Sequence, residues 1–393
     1  MGYYSDYLAR GFTVQAPALQ IERVRWLQRI TELRGRPTIV MASNLSSKGP
    51  ISIAYDDILP LKDICSGIKN DVVDLIIETP GGDGAVADDI IKNLRAQFKE
   101  IGVIVPGCAK SAGTIIAMAG DEILMGPTSA LGPIDAQVSF QGKVFSADAF
   151  IDGLEVIKDK SNLEGELNKA YIPILQNISP GDIQHAHNLL GFSKKVVADC
   201  LYQYKFKNWV KKKSGKAVSN QLRRARAEKI ASELCNQSKW LIHGRSIKMN
   251  DLEDLGVKIH DYSKDEKLNE AIERYYALLT ITMLSNVYKL FESKDSHIYK
   301  QYGIQAQQNQ PNQQNIPSQP YIVVPYKCGK CKSLTNLQFN FENAPLQRGA
   351  VPYPENDIFS CPKCSATQNI SKAKSDIEIN TGKKIIVQHR GNK

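Results

Sequence analysis

The chain has no run of 18 or more apolar residues, so the sequence offers no membrane-spanning helix. Met1 to Gln15 lack the apolar core of a signal peptide, and the expected location is the cytoplasm. Gly2 invites N-myristoylation, but that signal needs Ser or Thr as the sixth residue, where Asp6 stands. There is no Gly-x-x-x-x-Gly-Lys-[Ser/Thr] phosphate loop, so any dependence on ATP must come from another protein. Eight cysteines in 393 residues are too few for a disulfide scaffold. Histidine is scarce too: His185, His187, His243, His260, His297 and His389 are the whole supply of imidazole bases. The apolar share of 42% is ample for a buried core and excludes full disorder. The length suits one large domain or two to three ordinary ones.

The net charge of +9 is unevenly spread. Phe192 to Ile230 carries 12 basic and 2 acidic residues, including Lys211, Lys212, Lys213, Arg223, Arg224 and Arg226. Ile322 to Lys393 carries 11 basic and 5 acidic residues, which leaves the remainder acidic. A uniformly basic nucleic-acid binder has a different profile. The basic run reads as a solvated helix face or as a docking patch for an acidic protein or nucleic acid.

Hydrophobic periodicity divides the chain. Leu19 to Leu33 is an amphipathic helix that Gly35 ends. Pro37 to Ala42 and Ile51 to Tyr55 read as short strands, and Asp56 and Asp57 as caps of a helix running to about Ile68. Strand–helix alternation follows. Asp74 to Glu78, Gly102 to Pro106 and Glu122 to Met125 are strands. A helix with Val86, Ile90, Leu94 and Phe98 on one face, and a helix of small residues from Ser111 to Ala119, lie between them. This alternation implies parallel strands with right-handed crossovers. Ala147 to Leu241 looks mostly helical, and Lys267 to Phe291 reads as one long helix. Tyr302 to Pro320, rich in Gln, Asn and Pro, reads as a linker. The expected domains are an N-terminal helical arm over 1–35, a main domain over 36–300, a linker over 301–320, and a C-terminal unit with a basic tail over 321–393.

That last unit holds two Cys-x-x-Cys knuckles, Cys328/Cys331 and Cys361/Cys364, separated by 29 residues. Two intervening residues let both thiolates of a knuckle reach one ion, and two knuckles give closed tetrahedral sulfur ligation. The expected cofactor is a structural Zn²⁺ in a zinc ribbon, and a unit this small depends on its metal for folding. Cys65, Cys108, Cys200 and Cys235 have no such spacing and read as core residues.

Three features of the first half suggest acyl-transfer chemistry. Gly81-Gly82 at the carboxyl end of a strand lets backbone N–H groups face a close ligand, as an oxyanion hole requires. Ser111 sits at a strand-to-helix turn in Lys110-Ser111-Ala112-Gly113-Thr114, where the helix dipole favours developing negative charge. Asp135 ends the rigid turn Leu131-Gly132-Pro133-Ile134-Asp135, a place suited to an acid that orients a histidine. Taken singly, each has a plainer reading as a tight turn, a Ser cap or a turn acid.

Taken together, Glu78-Thr79-Pro80-Gly81-Gly82, Ser111-Ala112-Gly113-Thr114, Asp121-Glu122-Ile123 and Leu131-Gly132-Pro133-Ile134-Asp135-Ala136-Gln137 resemble the serine dehydrogenase proteinase family. That family is a distant relative of the Clp-type peptidases and of signal peptide peptidase A. The likeness takes in Glu32-Leu33-Arg34-Gly35-Arg36, Lys239-Trp240-Leu241-Ile242-His243 and Leu255-Gly256-Val257, and so covers roughly residues 20 to 260. The resemblance implies an α/β fold: a ClpP/crotonase-like spiral of ββα units with a mostly helical second half, here followed by the zinc ribbon. It implies Ser111 as nucleophile, Asp135 as orienting acid and His243 as base, in that chain order. The N–H groups of Gly82 and Ala112 would form the oxyanion hole, with Gly81 shaping the turn. A polypeptide substrate and a homo-oligomer are also implied. The chain departs from the family pattern in having Glu78, where members often have His, and in its less apolar Lys110-Ser111 segment.

Rival readings stay open at this level. A Ser–Lys dyad would use Lys158 or Lys160 as base, and His185 and His187 form a second histidine candidate. Lys110 is too near Ser111 in sequence to reach round as the base. The crotonase superfamily shares the spiral but acts on acyl-CoA thioesters. A catalytically silent scaffold would bind partners through the zinc ribbon and the basic patch.

Overall fold

The computed structural model describes residues 2–12, 17–140, 142–212, 214–302, 320–381 and 384–386. The chain forms two compact units, Met1–Gln305 and Ala306–Lys393.

The first unit begins with helices α1 (Tyr3–Ala9) and α2 (Pro17–Arg34), strand β1 (Thr38–Ser43) and helix α3 (Ile58–Cys65). Then come β2 (Val72–Glu78), α4 (Gly84–Gln97), β3 (Glu100–Val105), β4 (Cys108–Ala109), α5 (Ala112–Met118), β5 (Glu122–Met125) and β6 (Ala130–Leu131). A hairpin of β7 (Gln137–Phe140) and β8 (Lys143–Ser146) leads into α6 (Ala147–Glu164), α7 (Ile172–Leu175), α8 (Pro180–Cys200), α9 (Asn220–Leu234), α10 (Gln237–Trp240) and α11 (Met249–Leu255). The unit closes with β9 (His260–Asp261), α12 (Glu266–Met283), β10 (Val287–Glu292) and β11 (His297–Gln301).

Among the described residues the main sheet has seven strands in the order β11-β10-β1-β2-β3-β5-β9. Strands β1, β2, β3, β5 and β9 are parallel, while β10 and β11 add an antiparallel edge. Both faces of the central strands are covered, which explains their unbroken apolar runs. Leu75 and Ile77 of β2 and Val103 of β3 pack on one side with Ile90 and Leu94 of α4. Ile76 and Ile104 point to the other side, against Leu27 and Ile30 of α2 and Ile272 and Leu279 of α12. Each such fully buried aliphatic side chain contributes roughly 1.5–3 kcal/mol.

Two expected elements differ. The helix expected to Phe291 ends at Met283, and Val287–Glu292 is instead a strand paired antiparallel with β1. Ser285-Asn286 breaks the helix, and the open edge of β1 recruits the β-branched and aromatic residues beyond it. The strand expected over Ile51 to Tyr55 shrinks to one parallel bridge between Ile53 and Gly82. Asp57 does not cap α3 with its side chain. Its buried carboxylate accepts the Ala54 N–H and pairs with Lys289 and Lys300, at 2.7 Å each.

A second, minor ladder crosses the carboxyl ends of the main strands. Ile53 bridges Gly82, Thr79 bridges Ala109, β4 pairs in parallel with β6, and Leu131 bridges Ile247. Each turn of the spiral is thus a main strand, a short cross-ladder segment and a helix. The chain has the α/β spiral expected of it, and the cross-ladder carries every turn that builds the site below.

The second unit contains β12 (Tyr321–Lys327), β13 (Leu334–Asn340), β14 (Ala350–Pro352), β15 (Ile358–Ser360), β16 (Thr367–Asn369) and α13 (Ser371–Thr381). β12, β13 and β14 form one sheet, and β15 and β16 a hairpin. Residues 303–319 of the expected linker lie outside the described residues.

Candidate active site

The turn after β2 is fixed by its glycines. Gly81 has φ 103° and Gly82 φ 151°, which side-chain-bearing residues rarely adopt. The Ile53 N–H donates to the Gly81 carbonyl oxygen, and the Asp83 N–H to the Ile53 carbonyl oxygen. This parallel bridge leaves the Gly82 N–H directed away from Ile53. Asp83 then caps α4, accepting the Ala85 and Val86 N–H groups.

Ser111 joins β4 to α5 in an uncommon backbone conformation, φ 48° and ψ −113°. A non-glycine residue held there stores strain, a feature concentrated at functional sites. Ala112 is the first residue of α5, so its N–H has no acceptor within the helix. The small residues of α5 permit its close approach: a Cβ on Gly113 would run into Thr79. Thr114 Oγ1 lies 2.9 Å from the Ala109 carbonyl oxygen and 2.8 Å from that of Gly132, and accepts the Gly132 N–H at 3.1 Å. The Ser111 helix is thereby bound to the turn that leads to Asp135.

Asp135 is buried, and its Oδ2 lies 3.2 Å from Nδ1 of His243, whose side chain is 37% exposed. His243 comes from the loop between α10 and α11. The two-way bond between Leu131 and Ile247, at 2.9 and 3.0 Å, aligns that loop with the Asp135 turn. Asp135 Oδ1 is buried without a protein partner.

Gly81, Gly82, Ser111, Ala112, Asp135 and His243 line one cleft of about 440 Å³. Ile115, Ile134, Leu189 and Phe192 supply apolar walls. The rival bases lie elsewhere. Lys158 and Lys160 are exposed on α6, paired with Glu155 and Tyr171, and line no part of this cleft. His185 and His187 are exposed on α8, whose contribution to the cleft is Leu189, Phe192 and Ser193. A larger cleft of about 630 Å³ around Arg36, Thr38, Lys69 and Lys294 contains neither histidine nor cysteine.

Residues 7–177 match the ClpP-like SDH-type serine proteinase family. The matched stretch includes the Gly-Gly turn, Ser111 and Asp135, whereas His243 lies beyond it. An uncharacterised protein of Methanocaldococcus jannaschii is 35% identical over 139 residues, 34% of this chain and 49% of that protein. A second uncharacterised protein of the same organism is 28% identical over 159 residues, 39% of this chain and 54% of that protein. The chain thus spans about half the length of the curated relatives it matches. A solved structure of 1510-N, a membrane-bound stomatin-specific protease in complex with a substrate peptide, is 15% identical with a TM-score of 0.33. That likeness covers 56% of this chain and 75% of the other. No described helix of this chain is long and apolar enough to cross a membrane.

Within residues 7–177, three groups have partners that the sequence did not indicate. Glu78, just before the Gly-Gly turn, accepts the Cys108 N–H at 2.9 Å and the Tyr276 hydroxyl at 3.3 Å. Burial pushes its carboxyl up to about 7. Thr114 staples two turns, and Lys110 reaches the His243 loop. Their partners are remote in sequence, so only the fold reveals them. Part of the basic run over 192–230 is paired within the unit, and Lys213 lies outside the described residues. Lys207 pairs with Asp121, Arg224 with Asp199 and Glu228, and Arg226 donates to the Leu255 carbonyl oxygen.

The second unit brings Cys328, Cys331, Cys361 and Cys364 together, with all four Sγ atoms within 4.8 Å of one another. The Cys328–Cys364 and Cys331–Cys361 sulfurs are each 3.7 Å apart. Tetrahedral ligation with metal–sulfur bonds of about 2.3 Å sets such a separation. The two knuckles repeat one backbone pattern. Lys332 N–H donates to the Cys328 carbonyl oxygen, and Ser365 N–H to that of Cys361. Lys332 and Ser365 both have positive φ, 61° and 54°. These four thiols can hold a metal ion.

Proposed function

We propose that this protein is a serine peptidase in which Ser111, Asp135 and His243 act as a catalytic triad. The contact between the Asp135 carboxylate and His243 Nδ1, in the cleft that also holds the strained Ser111, carries this reading. Asp135 accepts the Nδ1–H of His243, which leaves Nε2 as the proton acceptor. Ser111 Oγ attacks the scissile carbonyl carbon while Nε2 takes its proton. The oxyanion that forms lies against the N–H groups of Gly82 and Ala112, at the amino end of α5. Nε2 then protonates the leaving amine, and an acyl-serine remains. A water molecule, deprotonated by Nε2, attacks the ester carbon, and the serine leaves with the proton. Each oxyanion donor is worth roughly 10²–10³ in rate.

The substrate in this reading is a polypeptide, consistent with the apolar walls of the cleft. The four cysteines of the second unit hold Zn²⁺, which closes the site and supplies folding energy rather than chemistry.

Intact-mass labelling with a fluorophosphonate probe tests the triad. Wild type is expected to take one adduct, and Ser111→Ala and His243→Ala none. A folded wild-type protein that takes no adduct overturns the reading, and an adduct retained by His243→Ala removes His243 as base.

A further inference from the structure

Lys110 stands immediately before Ser111 but is not among the residues lining the cleft that holds it. Its Nζ lies 3.3 Å from the Leu131 carbonyl oxygen, 3.4 Å from that of Gly244, 3.0 Å from that of Arg245 and 2.9 Å from Ser246 Oγ. An ammonium has three protons and no lone pair, so four surrounding oxygens use its whole donor capacity. Burial pulls this ammonium below the usual lysine range, while the four oxygens favour its charged, donating form.

The oxygens come from two segments. Leu131 begins the turn that leads to Asp135. Gly244, Arg245 and Ser246 follow His243 directly. We propose that Lys110 is a positioning residue, which ties the Ser111 turn to the Asp135 and His243 segments and holds the His243 ring in line with Ser111. This inference rests on the triad reading given above.

Two further observations support it. Between the buried Trp240 and Ile247 the loop packs little just before His243: Leu241 and Ile242 are 70% and 64% exposed. Leu241 itself has φ 69°. The path of the lysine stem is also prepared, because a Cβ on Gly132 would lie 2.6 Å from Lys110 Cδ. Gly132 is thus the residue that lets the stem pass. Charge-assisted hydrogen bonds to carbonyl oxygens are the stronger kind, and a catalytic ring must be held to within about half an ångström.

The test uses the full chain and the fluorophosphonate probe, with kinact and KI measured separately and folding followed by thermal melting. Lys110→Met removes the donors and keeps the stem. It is expected to lower kinact at least tenfold while KI stays within about twofold and the protein remains folded. Lys110→Arg, which keeps the charge and the donors, is expected to recover at least threefold of that loss. Unchanged kinact in folded Lys110→Met overturns the proposal while the triad reading stands. A loss seen only in KI overturns it too. Wild type that takes no adduct defeats the triad reading and this inference with it. If Lys110→Met does not fold, Ser246→Ala decides: it removes one acceptor and leaves the lysine. A two- to fivefold lower kinact then supports the tether, and an unchanged value overturns it.

Discussion

Gly81 faces Ser111 so closely that a Cβ on the glycine would lie 2.7 Å from the serine Cβ. The Lys110 carbonyl oxygen stands at 2.8 Å on the same side. The Gly-Gly turn and the serine turn therefore form one fitted joint, and the backbone at Gly81, φ 103°, already excludes most side chains. Gly81→Ala is expected to cost roughly 1–3 kcal/mol through overpacking and strain. It should also slow probe labelling of Ser111 by more than tenfold. Urea unfolding and labelling rates, measured on one preparation, check both.

Asp135→Asn tests the orienting role without changing size. An amide donates where the carboxylate accepts, so the His243 ring is left in the wrong tautomer. A loss of about 10⁴ in turnover is expected by analogy with other triads, with melting behaviour little changed. A loss below tenfold would remove Asp135 from the triad.

Glu78 predicts a pH effect with a definite sign. Burial raises its carboxyl from 4.5 to about 7, so the folded state binds the proton more tightly than the unfolded chain. Its contribution to stability is then greatest below pH 4.5 and is lost as pH rises toward 7. The loss from this group is about 3 kcal/mol, complete above neutrality. Glu78→Gln should remove that slope, so the stability difference between wild type and variant should vary with pH by this amount. Denaturant titrations at pH 4.5, 6 and 8 measure it.

For the cysteine cluster, chelation at neutral pH is expected to release one equivalent of zinc per chain. The strands of residues 321–369 should lose their cooperative melt. Cys361→Ser should behave like the chelated protein. Probe labelling of Ser111 is expected to persist in both. Metal analysis and circular dichroism before and after chelation check the first two points, and intact mass the third.

The legible parts of this chain were those whose signal is local. The Cys-x-x-Cys pairs, the Gly-Gly turn, the serine before a small-residue helix and the strand–helix alternation each declare themselves within ten residues. Val287 and Leu290 continue the spacing of α12, so local periodicity extends that helix over Val287–Glu292. What makes the segment a strand is the free edge of β1, far away in the chain. Ile51 to Tyr55 was apolar enough for a strand, but the glycine backbone opposite it supports only the bridge at Ile53. In the sequence, Lys110 reads only as a base too near Ser111 to reach it. The oxygens that explain it lie 21 and 134 to 136 residues further on, and sequence periodicity has no access to such pairings.

The Leu131–Ile247 bridge also sets an order of events at the ribosome. The cross-ladder closes only after its last rung has been translated, and His243 follows Asp135 by 108 residues. At ordinary elongation speeds that interval is roughly 5–20 s. During it the emerging chain carries Ser111, Asp135 and the exposed His185 and His187 of α8, but not His243. On the triad assignment, the nascent protein is inert toward its own unfolded segments and toward neighbouring nascent chains until most of its first unit exists. On that same assignment, hydrolysis has to wait for the last rung of the cross-ladder.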